Sequence, residues 1–187
     1  MMHSMRYVSE VLKELDGTLK QVDPAAAANL IDLLMRSKRI FVAGAGRSGL
    51  MVKAFAMRLM HLGFAAYVVG ETTTPAIAKG DVLLIGSGSG ETGSLAGMAQ
   101  KAKSLGVMVG FVGIFPESTI GKLSDAALQI PAPTPKAAVD NGLTSVQPMG
   151  SLFEQCLLLL LDSLVMGIME KRHTDTGTMF KRHANLE

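Results

Sequence analysis

Residues Ser87-Gly88-Ser89-Gly90-Glu91-Thr92 place three hydroxyls and two glycines within one six-residue segment, directly after a short apolar run. Hydroxyls and free backbone N–H groups suit a phosphate whose counter-charge comes from a helix dipole. The structural alternative is a Ser or Thr N-cap with Glu91 in the first helical turn. One cap needs one hydroxyl, so three of them favour an anion. The segment lacks the Gly-Lys-Ser/Thr element of a P-loop.

A second loop, Gly44-Ala45-Gly46-Arg47-Ser48-Gly49, also follows an apolar run and opens a helix. Its glycines at 44, 46 and 49 meet the spacing of the dinucleotide fingerprint, and Glu71 stands about twenty positions further on, where that fingerprint wants an acid. A nucleotide reading therefore stays open on this loop alone, although it leaves the 87–92 segment without a role. Arg47 lies inside the loop. A guanidinium there would grip a bound anion such as a phosphate. Its bland alternative is a surface salt bridge. Lys53 and Lys79 have weaker claims.

These loops need elements to aim them. Met5, Val8, Val11, Leu12, Leu15 and Leu19 recur at helical spacing over 4–20. Asp23-Pro24 reads as an N-cap and first-turn proline opening a second helix to about 37. Apolar runs at 39–43, 65–69, 81–86, 107–114 and 126–130 read as buried strands. Helices are predicted over 48–62, 91–105 and 118–123 between them. Residues 131–148, with four prolines, form a loop. A long apolar helix follows over 149–172, and then a short polar tail. Alternating strands and helices predict an α/β fold, a three-layer α-β-α sandwich on a five-stranded parallel sheet. Two Gly/Ser loops at the carboxyl ends of neighbouring strands would converge on one crevice.

Composition narrows the function. A length of 187 residues favours one domain. The net charge of +2, with no clustering of basic residues, argues against a nucleic-acid partner, and the absence of Trp with only two Tyr argues against an aromatic stacking platform. The longest apolar run, 156–161, is stopped by Asp162 and is too short to cross a membrane. A lone cysteine, Cys156, reads as a small buried hydrophobe and fits a cytoplasmic protein. The mean hydropathy of +0.32 suggests apolar surface covered by another subunit. The thirteen methionines read as core and interface filler.

At this point the chain resembles the sugar isomerase (SIS) domain family. That family's phosphate loop reads Ser-x-Ser-Gly-x-Thr, matched here by Ser87, Ser89, Gly90 and Thr92, and its earlier serine is matched by Ser48. The segments 44–49, 56–61, 85–92, 147–155 and 183–187 carry a closer resemblance to those members that isomerise a hexulose phosphate, through nearly the whole chain. The resemblance implies conversion of 3-hexulose 6-phosphate to fructose 6-phosphate, the second step of formaldehyde fixation through ribulose monophosphate. A base removes the C2 proton, a 2,3-enediolate forms, and a proton returns to C3. It implies no metal and no cofactor, one domain over 1–187, and a homotetramer in which helix 4–20 and segment 149–187 pack on neighbouring subunits.

Phosphate binding then falls to Gly46, Arg47, Ser48, Ser87, Gly88, Ser89, Gly90 and Thr92. Glu154, near the start of the 149–172 helix, is the candidate base. On sequence alone it reads equally as a first-turn glutamate placed for the helix dipole, but the family places its catalytic glutamate on this helix. Glu91 is a weaker alternative. His61 and His183 compete as the acid/base partner. The resemblance favours His183, because related isomerases use a histidine near the C-terminus that often reaches a neighbour's site. His3 and His173 read as surface residues. Competing readings are a sugar-phosphate sensor without turnover, an isomerase of another sugar phosphate, and a nucleotide-dependent oxidoreductase.

Overall fold

The computed structural model describes residues 4–134 and 144–186. His3 and half of the loop predicted over 131–148, residues 135–143, lie outside them.

Helices α1 (Ser4–Leu19) and α2 (Pro24–Arg36) precede strand β1 (Ile40–Gly44). Asp23 caps α2 as its sequence predicts, accepting the Ala25 N–H at 2.8 Å. The chain continues through α3 (Gly46–His61), β2 (Ala66–Val68), β3 (Val82–Gly86), α4 (Gly93–Ser104), β4 (Met108–Gly113), α5 (Thr119–Leu123) and β5 (Ala126–Gln129). It closes with α6 (Ser151–Arg172) and α7 (Thr176–Phe180). The last of these interrupts the predicted polar tail, because Asp175 caps it by accepting the Thr178 N–H at 2.7 Å.

All five strands are parallel, in the order β2-β1-β3-β4-β5. Alternate strand residues feed two cores. Ile40, Val42, Val82, Leu84, Val112 and Leu128 pack with α1, α2, α3 and α6, whereas Phe41, Ala43, Leu83, Ile85, Val109 and Phe111 pack with α4 and α5. The result is the expected three-layer sandwich.

Helix α6 has the length and apolarity of a membrane-crossing segment. It instead buries Leu152, Phe153, Leu157, Leu161, Leu164 and Ile168 in the larger core. Cys156 is fully buried there, and that burial pushes its thiol up to about 12. Helix α1 turns only part of its apolar face inward. Leu15 and Leu19 meet the core, while Met5, Val8 and Leu12 stay exposed.

The register places Gly44 beside Gly86, so the loops after β1 and β3 leave the sheet side by side. They leave at the point where the strand order reverses, the usual ligand position in open α/β sheets.

Candidate active site

The crossing from β1 into α3 is tight. A Cβ at Gly49 would stand 2.7 Å from the Gly44 carbonyl oxygen, and one at Gly44 would stand 2.9 Å from the Gly49 Cα. These two glycines let strand and helix touch, and Gly46 makes the turn with φ +56°. The loop's resemblance to a dinucleotide fingerprint thus has a packing cause. Glu71, the acid that reading required, is exposed beyond the edge strand β2.

Segment 87–92 first continues the sheet: the Ser87 N–H bonds Val112 O at 3.0 Å, and Ile114 N–H bonds Gly88 O at 3.1 Å. It then turns at Gly90, φ +64°, where a Cβ would fall 1.9 Å from Ser118 Oγ. The turn is braced from α5. Ile120 N–H bonds Gly90 O at 3.1 Å, and the Glu91 carboxylate takes the Thr119 N–H and Oγ1–H, both at 2.7 Å. Those bonds hold the Glu91 carboxyl below its ordinary range. Glu91 therefore works as a strut turned toward α5. Ser87 Oγ accepts the Gly90 N–H and Ser89 Oγ the Glu91 N–H, each at 3.2 Å. As acceptors, both hydroxyls keep their own protons to donate.

Between the two loops lies a cavity of about 410 Å³. Ser48, Ser87, Gly88, Ser89 and Thr92 line it, and Phe153 and Glu154 face them from α6. Ile114 and Phe115 after β4 and Thr134 after β5 complete the wall. Ala45, Thr92 and Gly150, the N-cap residues of α3, α4 and α6, all line this cavity, and none caps its helix with a side chain. Helices α2, α5 and α7, which begin elsewhere, are each capped by Asp23, Ser118 or Asp175. Three positive helix ends with N–H groups unspent on side-chain caps thus surround one space.

Glu154 is the one ionisable group among the described lining residues. Its Oε2 accepts from Arg47 Nη1 at 2.9 Å, and the same Nη1 donates to Ser151 Oγ at 3.0 Å. Arg47 thus reaches the site by way of the carboxylate. Lys53 and Lys79 are exposed and line no part of the cavity.

The histidines are elsewhere. His61 ends α3, whose 16 residues span about 24 Å from the glycine loop. Its buried ring stacks on His183 at 5.4 Å between centroids, and His183 stacks on Phe180 at 5.7 Å. Burial, helped by Arg58 and His183, pushes the His61 imidazole below its ordinary range. The two candidates for one role form a pair, and within one chain that pair does not meet Glu154. His173 is exposed at the C-terminal end of α6, as expected.

The sequence reading missed Ala45, Phe115, Thr134, Met149, Gly150 and Ser151. Phe115 and Thr134 follow the carboxyl ends of β4 and β5, a position that could have flagged them. Glu14 was missed as well. It takes the Ser145 hydroxyl at 2.8 Å, the Val146 N–H at 2.7 Å and Gln147 Nε2 at 2.9 Å, tying the strand of chain that leads into α6 to α1. Burial pushes its carboxyl upward, but these hydrogen bonds outweigh it and hold the group low. A larger cavity of about 630 Å³ lies at the amino ends of β4 and β5. Its acids Asp23, Asp32 and Asp125 are engaged by the Ala25 N–H, Lys171 and Lys103, and neither glycine loop reaches it.

The SIS domain matches residues 33–159. The 3-hexulose-6-phosphate isomerase of Bacillus subtilis is 50% identical over 186 residues, covering 100% of both chains. The protein of the same name from Mycobacterium gastri is 40% identical, covering 96% of this chain and 89% of its own. A solved structure from Methanococcus jannaschii, for which a 3-hexulose-6-phosphate isomerase function is inferred, superposes with a TM-score of 0.82 at 34% identity over 100% of both chains.

Proposed function

The chain belongs to the SIS domain family, and on that premise we propose that it interconverts 3-hexulose 6-phosphate and fructose 6-phosphate through a 2,3-enediolate. The observation that carries the reading is the convergence of three helix N-termini, all without side-chain caps, on a cavity whose one ionisable group among the described lining residues is Glu154. Folding leaves N–H groups without side-chain caps at one place, where a phosphate would satisfy them. The Ser48, Ser87, Ser89 and Thr92 hydroxyls add donors, with Gly46, Gly88 and Gly90 letting the backbone come close.

With the phosphate so anchored, the sugar extends toward α6. Glu154 takes the proton from C2 as the electrons of that C–H bond form the C2–C3 double bond and the C3 carbonyl becomes an enediolate oxygen. The proton returns to C3 as the C2 hydroxyl gives up its own proton to the C3 oxygen and the C2 oxygen becomes the carbonyl. Net atoms and charge are unchanged, so the reaction consumes no redox partner. The wall of Ile114, Phe115 and Phe153 limits water around the enediolate.

The second acid/base group is the His61–His183 pair of another copy, since one chain separates that pair from its own cavity by the length of α3. Exposed Met5, Val8 and Leu12 on α1, Met57 on α3, and Leu159 and Met166 on α6 support self-association, in keeping with a tetramer. The chain works as one domain, in the cytoplasm.

The test is proton exchange. Fructose 6-phosphate incubated with the protein in deuterated water loses its C3 proton signal by NMR. Phosphate binding without any exchange would instead favour a sensor of sugar phosphates.

A further inference from the structure

Arg47 stands between the two halves of the site. Its guanidinium holds Glu154 and Ser151, both on the first turn of α6, while its backbone sits on the first turn of α3 beside Ser48. The Arg47 side chain is 47% exposed, against 18% for Glu154. The guanidinium therefore lies on the open side of the pair, with solvent to move through. Among the described residues that line the cavity there is no cation. An entering phosphate meets N–H groups, hydroxyls, one carboxylate, and one guanidinium already committed to that carboxylate.

Two anions then compete for one fork. A guanidinium pairs with phosphate oxygens as readily as with a carboxylate, and the phosphate carries more charge. A base that must take a carbon-bound proton also works best without a cation on its oxygens. We propose that Arg47 is an exchangeable latch, holding Glu154 in the empty protein and passing to the phosphate of the bound sugar, which frees the carboxylate when substrate is seated. The inference rests on the reading of Glu154 as base and of the cavity as a sugar-phosphate site. It adds a timing role for Arg47: the ligand that needs the base also uncovers it.

The test is a double-mutant cycle on the binding of inorganic phosphate, measured by titration calorimetry on the wild type, Arg47→Gln, Glu154→Gln and the double variant. Exchange predicts that Arg47→Gln weakens phosphate about tenfold, the loss of a charge-assisted hydrogen bond. It predicts that Glu154→Gln tightens phosphate, because the guanidinium no longer has to leave a carboxylate. That gain must shrink by threefold or more in the Arg47→Gln background, where no guanidinium is left to release. A fixed Arg47–Glu154 pair predicts the opposite sign: removing Arg47 leaves the carboxylate unneutralised, so its removal helps phosphate more in that background. An equal or larger gain there overturns the latch. Melting of the ligand-free variants checks their fold, and Arg47→Lys replaces Arg47→Gln in the cycle should the latter not fold. Proton exchange by Glu154→Gln separates the two ideas. If exchange persists, the base assignment fails whatever the cycle shows. If exchange is lost and the cycle has the wrong sign, the latch alone fails.

Discussion

Ala45 offers a direct test of the open helix ends. It is the N-cap of α3, with φ −110° and ψ 150°, the extended conformation that a capping residue adopts. Its side chain offers nothing to the helix, and the residue is exposed, so a larger side chain has room. In Ala45→Asp the new carboxylate can accept the N–H of Arg47 or Ser48. A cap of this type contributes about 1 kcal/mol, and the negative charge at the positive end of the helix adds roughly 0.3–1 kcal/mol. For a chain of this size each kcal/mol raises Tm by about 2–4 °C, so the ligand-free variant should melt roughly 2–8 °C above the wild type. The same change spends the N–H groups assigned to the phosphate. It also sets a carboxylate beside it, and two unit charges some 4 Å apart repel by about 4 kcal/mol at an effective dielectric of about 20. Phosphate affinity should fall by about 100-fold or more. The assay is thermal melting with and without fructose 6-phosphate: the variant melts higher alone and loses the ligand-induced rise. Ala45→Ser, a cap without charge, should gain stability but lose less affinity. If Ala45→Asp is stabilised and still binds phosphate like the wild type, the α3 N–H groups do not face the ligand and the argument from open helix ends is wrong.

Other expectations follow from the same geometry. Glu154→Gln should abolish C3 proton exchange while phosphate binding survives; persisting exchange would put the base elsewhere. Ser87→Ala or Ser89→Ala should each weaken sugar-phosphate binding by about 1 kcal/mol or somewhat more, read from calorimetric Kd values, and unchanged affinity in both would move the phosphate out of this loop. At the amino ends of β1 and β3, buried Asp81 accepts Arg39 Nε at 3.0 Å and Nη2 at 2.6 Å, and the Ala78 N–H at 2.8 Å. Burial pushes its carboxyl up, but the Arg39 bonds and the Ala78 N–H outweigh that and hold it below the ordinary range. Its stabilisation is thus complete above about pH 4, the ordinary aspartate range, and is lost as pH falls through the lowered value. Asp81→Asn should cost about 2–3 kcal/mol in denaturant melts near neutral pH, less than for a fully buried pair because Arg39 is partly exposed, and should flatten the acid limb of the stability curve. An unchanged acid limb would show that other carboxylates govern it.

Several features were legible in the residues because their causes are local. Strand runs, helical spacing, the Asp23-Pro24 start and the glycine turns depend on neighbours a few positions away, and they predict the five-stranded parallel sheet. The hydroxyls and glycines of segment 87–92 are equally local, and the proposal of a phosphate there starts from them, while family resemblance names its substrate class. Boundaries moved by a residue or two, as at α3, which begins at Gly46 rather than Ser48. Helix α7 was missed because five residues carry little periodicity.

The folded chain decided the rest, because it depends on which distant residues meet. Arg47 and Glu154 are 107 positions apart, and no spacing rule pairs them. Glu91 lies within the phosphate motif yet turns to Thr119, and only the placement of α5 directs it there. His61 and His183, rivals for one role in the linear chain, stack together at the far end of α3. Whether a helix end is capped by a side chain, and whether three such ends point at one space, is likewise a property of packing. Residue types and local spacing therefore settled the run of strands and helices and pointed to an anion, while the resemblance to a family supplied the reaction. Tertiary contacts settled where the charges stand, because an ion pair or an open N–H group takes its meaning from what folding brings within about 3 Å of it.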